Sequence, residues 1–117
     1  MWALTALSMV LVLTLRPACA AGDAQAGAKI FAQQCARCHG TDAKGDGPDL
    51  VKLQAADSPD DLTDKEINRE LSDQKIISMV TKGGKANGKS AIMPAFADKL
   101  GAQQIQDLIA FIRSVAK

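Results

Sequence analysis

The sequence predicts a small all-α domain of about four short helices. Apolar residues recur three and four positions apart in several segments, which is the spacing of one helix face. No segment shows a convincing strand pattern, and there is no internal repeat or low-complexity tail. A chain of 117 residues has room for one such domain.

The first twenty residues, MWALTALSMVLVLTLRPACA, are predicted to be a cleaved signal peptide. Residues 2–15 carry no charge, and the small residues of ACA at 18–20 suit a signal peptidase. The leader lacks a basic residue before its apolar run, so a retained membrane anchor is the alternative. Cleavage after Ala20 assigns Cys19 to the leader and leaves a mature domain at 21–117, exported to the periplasm.

Charge is balanced overall but unevenly distributed. Without Arg16 in the leader, the mature chain has 13 basic and 13 acidic residues, which argues against nucleic acid as a partner. Residues 42–73 hold ten acidic and four basic side chains, whereas residues 74–99 hold five lysines and one aspartate. The domain should therefore have one acidic and one basic region.

The first predicted helix follows Asp23, an N-cap residue, and runs to about Arg37. Gly27, Phe31 and Cys35 are four residues apart and share one face. Because glycine has no side chain, Gly27 would let another helix approach closely.

Two further helices are predicted in the middle of the chain. The segment TDKE, Thr63 to Glu66, has the spacing of a capping box and opens a short helix ending near Glu70. Ser72 caps the next helix, and Gly83 supplies its stop.

A loop and a last helix complete the prediction. The stretch GGKANGKSAIMPAF is too rich in glycine, and too interrupted by Pro94, to be helical. The strongest helix then runs from Ala102 to about Val115, with four apolar residues at i, i+3, i+4 and i+7: Ile105, Leu108, Ile109 and Ile112.

The candidate site is the stretch CARCH, which contains Cys35, Cys38 and His39. Two cysteines three apart lie on one side of a helical turn, so both thiols can add to the vinyl groups of one haem. The adjacent imidazole then lies under the iron as its proximal ligand. The mature chain has no Trp or Tyr and only three Phe, so a covalently attached haem would also fill the core.

Other interpretations of this motif fit less well. A zinc site needs four ligands, and Cys35, Cys38 and His39 supply three with no second pair in the mature chain. A thioredoxin-like redox pair expects a neighbouring strand, and a structural disulfide needs no histidine. A surface histidine is the remaining alternative.

The sixth iron position has two candidates, because His39 is the only histidine. Met79 lies inside KIISMV at helical spacing from Ile76, which favours core packing. Met93 lies in a flexible loop beside Pro94, and a loop can bring its thioether to the far side of the haem. We therefore predict Met93 as the distal ligand.

The mature chain as a whole resembles the small class I cytochromes c. Their first helix is similar to the stretch GAKIFAQQCARCHG of this chain. Their last helix, which crosses the first, is similar to LGAQQIQDLIAFIRSV, and the resemblance implies that Leu108 and Phe111 contact the first helix. The resemblance implies a cytochrome c-like fold around one haem. It also implies that the carbonyl of Pro48, in GPDL, accepts a hydrogen bond from His39, and that MPAF supplies Met93 as a ligand.

The implied function is one-electron transfer between redox partner proteins, without catalysis. The chain is expected to be a monomer, with membrane contact only through partners or a retained leader. The alternatives are a haem subunit of a larger oxidoreductase, a gas-binding haem protein and a small peroxidase. The propionate partners are not predicted, and residues 49–62 match no motif.

Five lysines are predicted to flank the exposed haem edge: Lys75, Lys82, Lys85, Lys89 and Lys99. They would steer docking onto an acidic partner, weakly enough for fast release. The alternative is that these lysines are only solvated.

Overall fold

The computed structural model describes residues 21–56 and 58–117, and within them the chain forms six helices and no strand. The helices are α1 (Ala24–Gln34), α2 (Ala36–His39), α3 (Asp49–Lys52), α4 (Lys65–Glu70), α5 (Asp73–Ala86) and α6 (Ala102–Ser114). The all-α prediction is confirmed, with α2 and α3 as single turns added to four longer helices. The predicted leader at 1–20 lies outside the described residues.

The pairing of α1 with α6 forms the base of the fold. A Cβ on Gly27 would overlap the backbone carbonyl of Asp107 and lie 2.9 Å from the Cβ of Phe111. The predicted close approach is therefore confirmed. One turn further along α1, the rings of Phe31 and Phe111 pack with centroids 5.0 Å apart.

The N-terminal end of α1 is capped as predicted. The carboxylate of Asp23 accepts hydrogen bonds from the backbone N–H groups of Gln25 (2.9 Å) and Ala26 (3.3 Å). The backbone N–H of Asp23 donates to Asp107 on α6 (2.9 Å). The start of α1 is thus joined directly to its partner helix.

The predicted single helix from Asp23 to Arg37 is divided in the structure. Cys35 has φ −118° and ψ −34°, which departs from helical geometry and separates α1 from α2. Its N–H still donates to the carbonyl of Phe31 (2.9 Å), so the chain path continues with a change of direction.

The prediction that Thr63 caps α4 is wrong by one residue. The carboxylate of Asp64 accepts from the N–H groups of Glu66 (2.9 Å) and Ile67 (3.0 Å) and caps the helix. Thr63 instead donates from both its N–H and its hydroxyl to Asp61. The helix ends at Glu70, as predicted.

The interruption predicted at Gly83 occurs inside α5. Gly83 has φ 80° and ψ 175°, yet one more turn follows before α5 ends at Ala86. The predicted loop therefore begins four residues later than expected, at Asn87 instead of Gly83. The cap at Ser72 is confirmed by its hydroxyl, which accepts from the N–H of Lys75 (3.2 Å).

The hydrophobic core lies between α1, α5 and α6 and includes the four predicted apolar residues of α6. Leu108 is its largest fully buried side chain, at 1% exposed. One buried polar residue, Asn68, donates from its amide to the carbonyls of Leu62 and Ile112, both at 2.8 Å. Arg113 donates to the side-chain oxygen of Asn68 (3.0 Å) and to Asp73 (2.7 Å), joining α4, α5 and α6.

None of the helices in the described ranges is both long and apolar enough to cross a lipid bilayer.

Candidate functional site

A cavity of about 740 Å³ opens beside the CARCH segment. The roughly 300–1,000 Å³ typical of small-molecule and cofactor sites includes this volume. The sequence-predicted residues Cys35, Cys38, His39 and Met93 all line the cavity, and Met79 lines it as well. Segments far apart in sequence therefore bring thiols, an imidazole and thioethers to one space.

The short helix α2 fixes the backbone of the two cysteines and the histidine. The N–H groups of Cys38 and His39 both donate to the carbonyl of Cys35, at 3.2 and 2.9 Å. The following loop turns back, and Gly45 and Gly47 donate to the carbonyls of His39 (2.8 Å) and Cys38 (3.0 Å). Local hydrogen bonds thus hold the three side chains at the cavity wall.

His39 is largely buried and favours its neutral form. Burial lowers the pKa of the His39 imidazole, and the Asp60 carboxylate opposes this effect only in part. The neutral form is the one that ligates a metal. The ring of Phe31 lies 6.1 Å from the imidazole, centroid to centroid, and restricts its position from the α1 side.

The predicted hydrogen bond between His39 and Pro48 is not formed in this structure. Nδ1 of His39 is buried and has no hydrogen-bond partner among the described residues. Pro48 is exposed and precedes α3. A buried ring nitrogen without a hydrogen-bond partner is unusual in a folded protein.

The two cysteines of the motif are free thiols. Burial, with a smaller contribution from the nearby Cys38, raises the pKa of the Cys35 thiol to about 11. Cys35 is therefore protonated at neutral pH. Within residues 21–56 and 58–117, no cluster of three or more His, Cys, Asp or Glu side chains is arranged to hold a metal ion.

Met93 reaches the cavity from the loop between α5 and α6. Its carbonyl accepts a hydrogen bond from the N–H of Gly84 (3.0 Å), and its own N–H donates to Ser90 (3.4 Å). The side chain is half-buried, and the neighbouring Pro94 also lines the cavity.

The prediction that Met79 packs in the core is wrong. Met79 is half-buried at the cavity wall, whereas its helix neighbours Ile76 and Val80 are 5% and 6% exposed. The face of α5 that carries these residues borders the cavity, and Met79 lies at its edge. Both methionines of the described residues therefore reach the candidate site.

Described residues of the stretch 49–62, which matches no sequence motif, line one side of the cavity. α3 and the segment after it supply Leu50, Leu53 and Pro59, among others. The ion pair between Arg37 and Asp49 (2.8 Å) joins α3 to α2. The two leucines were the only sequence signal for this wall, and nothing in their spacing relates them to CARCH.

The mouth of the cavity carries both charge and exposed apolar surface. Arg37, Lys89 and Lys99 lie along it, together with Asp60. Nζ of Lys99 lies 5.7 Å from the ring centroid of Phe96. The exposed apolar side chains that line it are Leu53 and Ile92, at 49% and 38% exposed.

These residues fit a haem held by two thioether links. Two free thiols three residues apart, an adjacent imidazole that favours its neutral form, and an otherwise apolar cavity meet its requirements. Cys35 and Cys38 would hold the macrocycle and His39 would bind its iron.

Comparison with known proteins agrees with this fit. The family model described as Cytochrome c matches residues 24–116. Cytochrome c6 of Nostoc sp. is 41% identical over 79% of this chain and 70% of its own length. Cytochrome c6 of Rippkaea orientalis is 38% identical over 88% of this chain and 80% of its own length.

Two further similarities concern a longer protein and a solved structure. The cbb3-type cytochrome c oxidase subunit FixP of Bradyrhizobium sp. is 33% identical over 80% of this chain, which spans only 28% of that subunit's length. The solved KustC0563 c-type cytochrome is 28% identical with a TM-score of 0.60, covering 78% of this chain and 98% of its own.

Both the domain match and the site geometry agree with the class that the sequence resembles. Covalently bound haem c follows from that class. The chain belongs to the cytochrome c family.

Proposed function

We propose that this protein is an exported one-electron carrier whose single haem c is attached through Cys35 and Cys38 and ligated by His39 and Met93. The observation that carries the proposal is that one cavity is lined by all four of these residues. The ligand assignment also agrees with the chemistry, since His and Met ligation is typical of electron-transfer haems.

The residues around the iron would leave no position for a substrate. A haem with these two ligands would accept and release single electrons with little change in the positions of its ligands. One-electron transfer is the only chemistry that it would supply. Phe31 fixes the His39 ring from one side, and apolar walls exclude water from the site. The backbone hydrogen bonds from Gly45 and Gly47 keep α2 from shifting between redox states. The protein is proposed to have no enzymatic activity of its own.

Export to the periplasm is part of the proposal. The apolar leader at 1–20 supports it. The carrier would act there as a monomer between a donor and an acceptor protein.

Replacing Met93 tests the ligand assignment. In Met93→Ala we expect the far-red band of thioether-ligated ferric haem to disappear and the reduction potential to fall, because methionine ligation raises the potential. Carbon monoxide should bind the reduced variant readily. The measurement is a visible spectrum with a redox titration on protein matured in a host that attaches haem.

Met79→Ala is the matched control, because the same side chain is removed from the same cavity. It should keep the far-red band and exclude carbon monoxide as the wild type does. If Met79→Ala loses the band and Met93→Ala keeps it, the assignment is reversed. If neither changes it, the iron has another ligand.

A second candidate function is that of a fixed haem domain in a larger oxidoreductase. The similarity to FixP, named as an oxidase subunit, supports it, and that subunit is far longer than this chain. Cell fractionation separates the two candidates. A free carrier should appear as a soluble haem protein in the periplasmic fraction, whereas a subunit should purify with membrane-bound partner chains.

The cavity mouth is proposed as the docking surface for an acidic redox partner. Lys89 and Lys99 line it, and the exposed Leu53 and Ile92 add apolar contact area. Lys75, Lys82 and Lys85 are also exposed but do not line the cavity. Of the five predicted lysines, Lys89 and Lys99 are therefore the two proposed to steer electron exchange.

Charge reversal at Lys89 and Lys99 should slow oxidation by an anionic reagent. With hexacyanoferrate(III) at low salt, we expect the rate for the Lys89→Glu/Lys99→Glu variant to fall about tenfold, within the range of electrostatic steering. At about 1 M salt the rates should converge, since the Debye length is then about 3 Å. Stopped-flow mixing of reduced protein measures both.

Lys65→Glu makes the same kind of charge change on α4, away from the cavity lining, and serves as the control. It should alter the rate much less than the double variant. Equal slowing by Lys65→Glu, or a rate that does not depend on salt, would refute docking at this mouth.

A further inference from the structure

We infer that Asn87 is a positioning residue that holds the Met93 loop against the haem site, with Ser78 as its partner. Neither residue lines the cavity, and no sequence motif singles them out. The inference rests on the proposed ligation by Met93 and concerns what keeps that thioether in place.

The side chain of Asn87 makes three hydrogen bonds to α5. Its amide nitrogen donates to the carbonyls of Gly83 (2.8 Å) and Ser78 (3.1 Å). Its amide oxygen accepts from the Ser78 hydroxyl (2.7 Å). Asn87 follows the last residue of α5, so these bonds tie the end of the helix back to its middle.

The bonds stabilise an interruption that the helix would not otherwise keep. At Gly83 the backbone has φ 80°, a conformation that breaks the α-helical ladder and leaves carbonyls without their usual partners. Asn87 supplies a donor to one such carbonyl, that of Gly83 itself. Without it, this half-buried carbonyl would lose its partner and the break would cost more free energy.

The interruption at Gly83 in turn orients the backbone N–H of Gly84 towards the carbonyl of Met93. The N–H of Gly84 donates to the Met93 carbonyl (3.0 Å), and the Gly84 carbonyl accepts from Lys89 (2.9 Å). Gly83 and Gly84 also lie so close to this loop that a Cβ on Gly84 would overlap the Ser90 carbonyl and approach the Met93 Cβ at 3.3 Å. The loop can occupy this position only while the break at Gly83 is kept.

Asn87 is therefore connected to Met93 through a short chain of backbone contacts. Removing its amide should release the loop and increase the fraction of molecules in which Met93 is off the iron. A larger fraction of molecules with Met93 off the iron should most affect the rate of ligand binding to the iron. Only these molecules, a minority in the wild type, can bind an external ligand.

The experiment uses oxidised holoprotein of the wild type, Asn87→Ala and Ser78→Ala, with imidazole as the probe for an open iron. We expect imidazole to bind Asn87→Ala about tenfold faster than wild type. A tenfold change in population is the size expected when a buried carbonyl loses its hydrogen-bond donor. The far-red thioether band should weaken and the potential should fall. Ser78→Ala keeps two of the three hydrogen bonds, so it should fold and change in the same direction by less.

The matched control is Asn68→Ala, which removes the other asparagine that donates to two backbone carbonyls. Its bonds join Leu62 and Ile112 and do not involve the Met93 loop. It should lower stability in urea but leave the imidazole rate, the far-red band and the potential as in wild type.

The outcomes separate this inference from the proposed function. If Met93→Ala and wild type give the same spectrum, Met93 is not the ligand and both fail. If Met93→Ala loses the band while Asn87→Ala and Ser78→Ala bind imidazole no faster than Asn68→Ala, the inference alone is overturned and Asn87 has only a structural role.

Discussion

A variant with both Cys35→Ala and Cys38→Ala is expected to be exported as a polypeptide without covalent haem. These two residues are the only cysteines of the predicted mature chain, and both line the cavity. No other side chain there can form a thioether link. Denaturing mass spectrometry of the protein, matured in a host that attaches haem, should give the mass of the bare processed peptide.

Loss of the haem should also unfold the domain. The cavity has a volume of about 740 Å³, and among the described residues the core contains two buried aromatic side chains, Phe31 and Phe96. Domains are stable by roughly 5–15 kcal/mol, and a void of this size cannot be closed by the remaining side chains. The helical circular dichroism signal should therefore drop sharply.

Cys19→Ala is the control for the double variant. If the leader is cleaved after Ala20, this change leaves the mature protein identical in mass, haem content and helicity. A double variant that still carries haem after denaturation would contradict attachment at Cys35 and Cys38. A Cys19→Ala protein that lacks haem would contradict the assignment of Cys19 to the leader.

The parts of the site that sequence reasoning found are those set by local spacing. Cys35, Cys38 and His39 lie within five residues, so one helical turn brings them to the same wall whatever the rest of the chain does. The last helix, predicted from Ala102 to about Val115, is Ala102–Ser114 in the structure, because apolar residues at helical spacing over two turns define it.

Predictions failed where two local solutions were close in energy. Thr63 and Asp64 can each cap a helix, and the structure uses Asp64 because Thr63 bonds to Asp61 instead. At Gly83 the chain resumes a helical turn after the break, and the bonds from Asn87 explain why. Neither choice is encoded within a window of a few residues.

Features that depend on distant partners were not predictable at all. Asn68 is buried because its amide finds the carbonyl of Ile112, 44 residues away. The cavity wall at 49–62 and the position of Met79 likewise depend on how α2, α3 and α5 meet. Periodicity indicates which face of a helix is buried, but it does not indicate whether that face meets side chains or a cofactor.

Gly27→Ala is expected to be among the most destabilising single substitutions in this chain, although alanine is the better helix former. At an open helical position the change would stabilise by about 1 kcal/mol. Here the added Cβ would overlap the Asp107 carbonyl, which belongs to the backbone of α6 and cannot rotate away. We expect a net loss of about 3 kcal/mol, at the upper end for an overpacked core. Urea unfolding of the oxidised holoprotein should show this as a lower midpoint with an unchanged slope.

Gly101→Ala provides the same substitution without the clash. Gly101 is the N-cap of α6, and the nearest atom to an added Cβ is the Gln104 side-chain oxygen at 3.8 Å. Its unfolding midpoint should stay near that of the wild type, since exchanging a capping glycine for alanine costs less than about 1 kcal/mol.

The α1–α6 pair carries Phe31 against His39 and Phe111, so separation of the helices would also disturb the haem site. A Gly27→Ala protein as stable as wild type would mean that the two helices do not cross at this residue. The close contact between Gly27 on α1 and Asp107 on α6 would then be contradicted.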